Sequence, residues 1–358
     1  MSPTPWYATR EAVTSGLDTA ATSLSNSQID AVIASASRAI DGDMRRVFYP
    51  TVATRYFDWL DHQFSYTWRL WLDDNELAAP PTSVLAAGVD ITAGVVSRSF
   101  TGDDRPPYMA LETDLSKAVA FNAGFTFQKA IAVTGLFGYQ VNESAAGTLG
   151  AAVASTSTTS VTVTDTVSIG VGSLLRVDSE RMQVTGRTWG AQADTLGTGG
   201  LALAQSANLV PVTTPGQFQP GESLLIDGEQ LLVDSVAGAN LVVRRAMFGT
   251  PLAAHTAGAA VYRSTALTVA RGMLGTTAAI HSISAPVLAF AYPEVIADLC
   301  VAEAMIRLGG RRSGYANVIS RGEVTKIGTS ISGIDELRQQ ARQAHRRKML
   351  TYTPGRPM

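Results

Sequence analysis

At 358 residues, with 46% hydrophobic and 16% charged residues, the chain is long enough for two or three folded units and too apolar for wholesale disorder. A formal net charge of −2 excludes the strong basic excess of a free nucleic-acid-binding protein and suits a subunit that buries surface against copies of itself. Cys300 is the only cysteine, which excludes an intrachain disulfide and a cysteine metal cluster.

In chain order, Thr9-Arg10-Glu11-Ala12-Val13 predicts a short capped helix ending near Gly16. Ser27-Gln28-Ile29-Asp30 then opens a second helix, with a hydroxyl cap and an acid in its first turn. Ile29, Val32, Ile33, Ala36 and Ile40 recur at helical spacing and predict one core-facing stripe. After Pro50 the period changes. Thr54 to Trp59 and Thr67 to Leu72 are aromatic-rich and predict strands, with weaker candidates at Val84 to Val89 and Gly94 to Phe100. Lys129 to Gly135 predicts another strand, ending in the turn Gly135-Leu-Phe-Gly-Tyr139.

Composition shifts at about residue 143 toward Thr, Ser, Val, Gly and Ala, opening with the low-complexity stretch 151–160. Alternation such as Val161-Thr-Val-Thr, punctuated by glycine, predicts small β-barrels or sandwiches. This region repeats itself. Gly172 to Val184 matches Gly221 to Val233 at an offset of 49, and Leu241 to His255 matches Leu267 to His281 at an offset of 26. The order is front, front, back, back, which implies nesting. An outer β-unit at about 158–200 plus 265–288 is interrupted by an inner unit at about 201–264.

Pro293-Glu294 starts a strongly apolar helix that includes Val295, Ile296 and Leu299 and is expected to end at Gly309-Gly310, buried against the N-terminal zone. Cys300 falls on it as a small buried hydrophobe. Gly328 to Gly333 reads as a hinge, and Ile334 to Leu350 as an amphipathic helix with acids first and bases last, which complements its dipole. The N-terminus has neither the basic nor the apolar region of a signal peptide, and no run of about twenty apolar residues spans a membrane, so a reducing cytosol is the expected setting.

Motifs for chemistry are sparse. There is no Walker loop, dinucleotide glycine fingerprint or nucleophile elbow. The histidines, His62, His255, His281 and His345, lack a second His or Cys at metal-ligand spacing. His255 and His281 hold equivalent places in the repeated back motif, which points to a structural role at a turn. The repeated pairs Asp178/Glu180 and Asp227/Glu229 put two carboxylates on one strand face, a pattern open to metal binding or acid–base work. The favoured reading is that they decorate a hairpin's solvent face or bond turn amides. No catalytic, metal or cofactor residue is therefore assigned. The basic end, Arg338, Arg342, His345, Arg346, Arg347 and Lys348, suits docking to an acidic protein groove, simple solvation or DNA phosphates, in that order.

Several motifs in the flanking zones occur in a recognisable order. They are Tyr7-Ala-Thr-Arg-Glu-Ala-Val13, Ile33-Ala-Ser-Ala-Ser-Arg-Ala-Ile-Asp41, Arg45-Arg-Val-Phe-Tyr-Pro50, Thr54-Arg-Tyr-Phe-Asp58, the 135–139 turn and the Pro293-Glu294 helix. Together they resemble the head–tail connector (adaptor) family of long-tailed bacteriophages, over about 1–142 and 290–322. In that family the turn is followed almost at once by the helix; here residues 143–290 intervene. The resemblance implies an α+β protein, with a discontinuous helical connector core at 1–142 and 290–327 carrying short strands. An all-β insertion of two nested barrel- or sandwich-like repeats would occupy 143–290, and a hinge with a basic helix and tail 328–358.

The implied function is a non-enzymatic neck subunit of the virion, assembled in the host cytoplasm, without cofactor and without a membrane. Its partners would be copies of itself in a ring, usually twelvefold, the portal, a downstream stopper or tail-terminator protein, and double-stranded DNA passing without sequence recognition. Arg338, Arg342, Arg346, Arg347 and Lys348 would dock the portal. The alternative is a tail-tip or decoration subunit whose β-units bind a host glycan or another virion protein. A hydrolase using the Asp-x-Glu pairs is the third reading.

Overall fold

The computed structural model describes the backbone of residues 4–16, 25–59, 67–99, 104–312 and 321–347, with side chains throughout except at 311–332. His62, Lys348 and the tail to residue 358 lie outside the described residues. Two compact units emerge. One comprises Met1–Ser37 with Asn142–Val318, the other Arg38–Val141 with Ile319–Met358.

The elements begin with helices α1 (Arg10–Gly16) and α2 (Asn26–Met44). Strands follow as β1 (Thr51–Phe57), β2 (Arg69–Trp71), β3 (Ser83–Ala86), β4 (Val89–Asp90), β5 (Val95–Arg98), β6 (Ala110–Thr113) and β7 (Ile131–Phe137). The next group is β8 (Glu143–Thr148), β9 (Ser160–Thr162), β10 (Leu174–Val177), β11 (Glu180–Thr188), β12 (Gln192–Thr195) and β13 (Leu209–Pro211). It continues with β14 (Ser223–Ile226), β15 (Glu229–Ala237), β16 (Asn240–Arg244), β17 (Ala260–Arg263), β18 (Ala266–Ala270) and β19 (Pro286–Phe290). Helices α3 (Glu294–Arg312) and α4 (Arg321–His345) are the last of the described elements.

The expected helical core with a β insertion is corrected by this inventory. The described residues are mostly β, with 19 strands in four sheets and only about 21% helix. The reason lies in residues 51–137. Their short β-branched and aromatic runs build two antiparallel sheets of their own, ordered β1-β7-β3-β4 and β2-β6-β5. These sheets enclose a core of Phe57, Leu70, Leu72, Leu77, Val84, Leu111, Ile131 and Phe137. β7 does not stop at Gly135. It pairs with β1 through Phe137, opposite Thr51. The turn comes at Gly138, whose φ of 148° and close approach to the Tyr49 carbonyl, 2.5 Å from where a Cβ would stand, require glycine.

Helix α2 is capped by Ser25, two residues before the expected Ser27. The Gln28 amide donates to Ser25 Oγ at 3.4 Å, and the Ser25 amide donates to Gln28 Oε1 at 2.9 Å, a reciprocal capping box. Ile29, Val32, Ile33, Ala36 and Ile40 are buried along it. On α3, Ile296 and Leu299 are buried and Val295 is half-buried. Within the first unit α2 and α3 meet where Ser37 Oγ lies 3.4 Å from Cys300 Sγ.

Neither glycine pair interrupts its helix. α3 runs past Gly309-Gly310 to Arg312, and residues 328–333, expected as a hinge, are helical within α4. A helical glycine costs only about 1 kcal/mol relative to alanine, too little to stop helices of this length.

The rest of the first unit consists of two six-stranded antiparallel sheets, ordered β8-β19-β10-β11-β18-β9 and β12-β17-β14-β15-β16-β13. The two orders are equivalent strand for strand. The outer module draws on residues 143–188 and 266–290, and the inner module on 192–263. In each, an isolated bridge joins the ends of the two edge strands, Leu149 with Val163 and Leu196 with Val212, so the sheet curls back on itself. Each encloses its own core: Leu175, Val177, Met182, Val184, Leu267 and Val287 in one, Leu224, Ile226, Leu231, Val233, Leu241 and Val261 in the other.

Candidate functional site

The repeated acids sit where β10 turns into β11 and where β14 turns into β15. Both hairpins have two-residue turns, closed by the pairs Val177–Glu180 and Ile226–Glu229. Asp178 and Asp227 are the first turn residues, at φ of 52° and 51°, and aspartate tolerates the left-handed region better than most residues. The back motif begins in the fifth strand of each module, β16 or β18, and brings one arginine and one histidine to this turn.

In the outer module, Arg271 Nε and Nη2 donate to Glu180 Oε1 and Oε2, both at 2.7 Å. The amides of Gly272 and Ala279 add bonds of 2.9 Å each. His281 Nε2 lies 2.8 Å from the same carboxylate, and its Nδ1 lies 2.7 Å from Asp178. The inner module repeats this. Arg245 forks onto Glu229 at 2.7 Å twice, with the amides of Ala246 and Ala253 at 2.8 and 3.0 Å. His255 then spans Glu229 at 2.9 Å and Asp227 at 2.7 Å. Ionised carboxylates only accept, so each ring is satisfied when both of its nitrogens carry a proton.

Glu180 and Glu229 are fully buried, whereas the Asp178 and Asp227 side chains remain 59% and 62% exposed. Of the expected reading, the solvent-face half is therefore corrected for the glutamates, whereas the bonding to turn amides is observed in both modules. The turn folds them inward because the arginine fork and two amides await them there. Burial alone raises the glutamate pKa, but the bonds from arginine, backbone amides and histidine outweigh it and hold both carboxyls at about 2. Five donors saturate each carboxylate, leaving no oxygen to take a proton from a substrate or to ligate a metal. No group of three or more His, Cys, Asp or Glu suited to a metal occurs among the described residues.

Each cluster also ties down a distant loop. The remaining arginine nitrogen donates to the carbonyls of Thr158 at 2.9 Å in the outer module, and of Ala202 and Ala207 at 3.1 Å in the inner. His281 exchanges backbone bonds with Val153, and His255 with Leu201. Sequence reasoning singled out the acids and histidines but passed over Arg245 and Arg271. The signal was there, since both stand at the same position of the 26-residue repeat.

The second unit holds a cleft of about 760 Å³ framed by Arg45, Arg46, Tyr49, Arg55, Asp74, Glu76 and Arg347. Arg46 reaches Glu76 at 2.8 Å and covers the Tyr139 ring at 4.6 Å. Phe48 packs edge-on to Tyr139, whose hydroxyl lies 3.1 Å from His345 Nδ1. Burial, reinforced by Arg46, pushes the His345 imidazole pKa down.

Of the proposed docking residues, Arg342 is paired with Asp43 at 2.9 Å, Arg347 with Asp74 at 3.0 Å, and Arg338 with Asp335 at 2.9 Å. Arg342 and Arg347 therefore hold the end of α4 to its own unit, Arg338 pairs within the helix, and Arg346 is exposed without an ion pair among the described residues. Compared with protein-family models, curated proteins and solved structures, the chain has no significant match.

Proposed function

We propose that the chain is a structural subunit of a phage neck, forming a ring that joins the portal to the tail around the DNA channel. The observation that carries this reading is the meeting, in one unit, of three of the motifs that resemble the connector family: the 45–50 corner, the 54–58 strand and the 135–139 turn. The Arg45-Arg-Val-Phe-Tyr-Pro50 corner, the strand that follows it, the Gly138-Tyr139 turn and the end of α4 meet around Phe48, Tyr139 and His345. The cleft that this corner frames is mixed in charge, which fits a protein segment better than a polyanion. The saturated glutamate clusters add support, because the residues best suited to acid–base work are spent on closing the β modules. The reading does not need a helical core.

The test is electron microscopy of the purified protein, alone and mixed with portal rings. Rings with a central channel, bound coaxially to the portal, are the expected result. Particles that stay monomeric in the presence of portal would refute the proposal.

A further inference from the structure

The cleft of the second unit is framed by four arginines and three acids, and two of the arginines are short of partners. Arg46 is not one of them. It lies 2.8 and 3.0 Å from the two Glu76 oxygens and donates to the His345 carbonyl at 2.7 Å. Arg347 is different. Its side chain is only 8% exposed, and Nη1 donates to Asp74 at 3.0 Å, yet Nη2 is buried without a hydrogen-bond partner among the described residues. The Asp74 side chain is 97% exposed, so water screens this pair and a competing acceptor can displace it. Buried donors are ordinarily satisfied, so the vacant Nη2 calls for a further acceptor.

Arg55 is the second. It is half-buried, lies over the Phe137 ring at 4.4 Å and donates to the Asn75 side-chain carbonyl, but it pairs with no acid among the described residues. Burial lowers its pKa with no carboxylate to offset the cost. Two under-compensated guanidinium groups in one cleft suit carboxylates, which they grip in a planar fork. A run of phosphates suits it less, because Asp73, Asp74 and Glu76 stand in the same wall and repel a dense polyanion. The cleft's volume of about 760 Å³ is ample for several side chains.

We propose that this cleft takes an acidic protein segment, with one carboxylate on the vacant Nη2 of Arg347 and another on Arg55. The proposal deepens the neck reading and rests on it for the owner of the segment, the portal; the binding chemistry stands apart from that reading.

The test uses the full chain and an array of N-acetylated, C-amidated heptapeptides carrying none, one, two or three Asp or Glu residues among Ala, Leu and Tyr. Affinities follow by calorimetry, with the Asn/Gln isostere of each binder, inorganic phosphate and a short DNA duplex as comparisons. Saturable binding by peptides with two acids is expected. It should weaken about tenfold or more in the isosteres, the loss expected when a charge-assisted hydrogen bond is removed. Arg347→Gln and Arg55→Gln should each weaken it comparably, while Arg244→Gln, in the other unit, should leave it unchanged. The isostere comparison uses the unaltered chain, so it decides the matter even where an arginine variant fails to fold. No saturable binding by any peptide, equal binding of the isosteres, or tighter binding of phosphate or DNA would overturn the proposal. Acidic peptides bound by a chain that ignores portal rings would overturn the neck reading and keep this one; portal capture without peptide binding would do the reverse.

Discussion

The outer and inner β modules are two answers to the same folding problem, and what they share separates necessity from decoration. Both use the same strand order and the same buried set of glutamate, arginine and histidine beside an exposed aspartate. They diverge at the edges. The inner module fixes its first strand with Asp194, which accepts the Thr195 and Thr214 amides at 2.7 Å and the Thr214 hydroxyl at 2.8 Å. The outer module uses Glu143 against Arg176 at 2.6 Å instead. The inner β15–β16 hairpin closes at Gly238, with φ of 60°, whereas the outer β11–β18 pair opens at that same place to admit the whole inner module. The comparison teaches that the cluster closes each module and the hairpin tip is free to vary.

Acid offers the largest perturbation. The folded-state pKa values of Glu180, Glu229 and Asp194 are all lowered to about 2. Their stabilisation is therefore complete above the unfolded carboxyl range near 4.5 and is lost as pH falls from there toward 2. The inner module holds two of these groups and the outer one, so hydrogen exchange at falling pH should show the inner module opening first. Simultaneous opening would break the distinction.

Single substitutions come next. Glu180→Gln and Glu229→Gln each leave a buried guanidinium without its counter-charge, which should cost about 3–5 kcal/mol in thermal or urea unfolding. Equivalent losses in the two variants would sharpen the parallel between the modules. A loss under about 1 kcal/mol in either would mean that its cluster does not close the sheet.

Excision is expected to be milder. Thr188 and Ala266 face each other across β11 and β18. Replacing residues 189–265 by Asn-Gly, a favoured two-residue hairpin turn, should leave the outer sheet folded, with a change of only about 1–2 kcal/mol. Loss of the outer module's β signal in circular dichroism would show that the inner module is required for it.

The smallest effect concerns the position after the arginine. The outer module has Gly272 at φ of 59° and the inner has Ala246 at 54°. Ala246→Gly should stabilise by up to about 1 kcal/mol, and Gly272→Ala should destabilise by about as much or more. The second change also brings a Cβ to 3.2 Å from the Ala278 amide nitrogen. Opposite signs in differential scanning calorimetry are the result that checks this.

Much of the β region could be read from the chain because its turns and buried acids repeat in register. The first strand of each module could not. β8, Glu-Ser-Ala-Ala-Gly-Thr, and β12, Gln-Ala-Asp-Thr, share no motif, because each is anchored by a different side chain, Glu143 on Arg176 in one and Asp194 on the Thr195 and Thr214 amides in the other. β6, Ala-Leu-Glu-Thr, was also invisible, being short and buried along its whole length. The clusters were half visible. The sequence shows that Glu180 and His281 recur, but their meeting depends on the pairing of β11 with β18 and on the turn after it, a long-range fact. The helical core was over-read from the flanking motifs, whose corner is real but belongs to a unit built on strands.

The central claim is that Glu180 and Glu229 are locked ion-pair acids and not groups poised for proton transfer. Carboxyl ¹³C chemical shifts of these two residues followed from pH 7 downward test it most directly. The account predicts that both remain ionised through pH 4 and titrate only near 2, together with unfolding of the modules. Titration of either carboxyl at or above its ordinary value of 4.5 in the folded protein would contradict it.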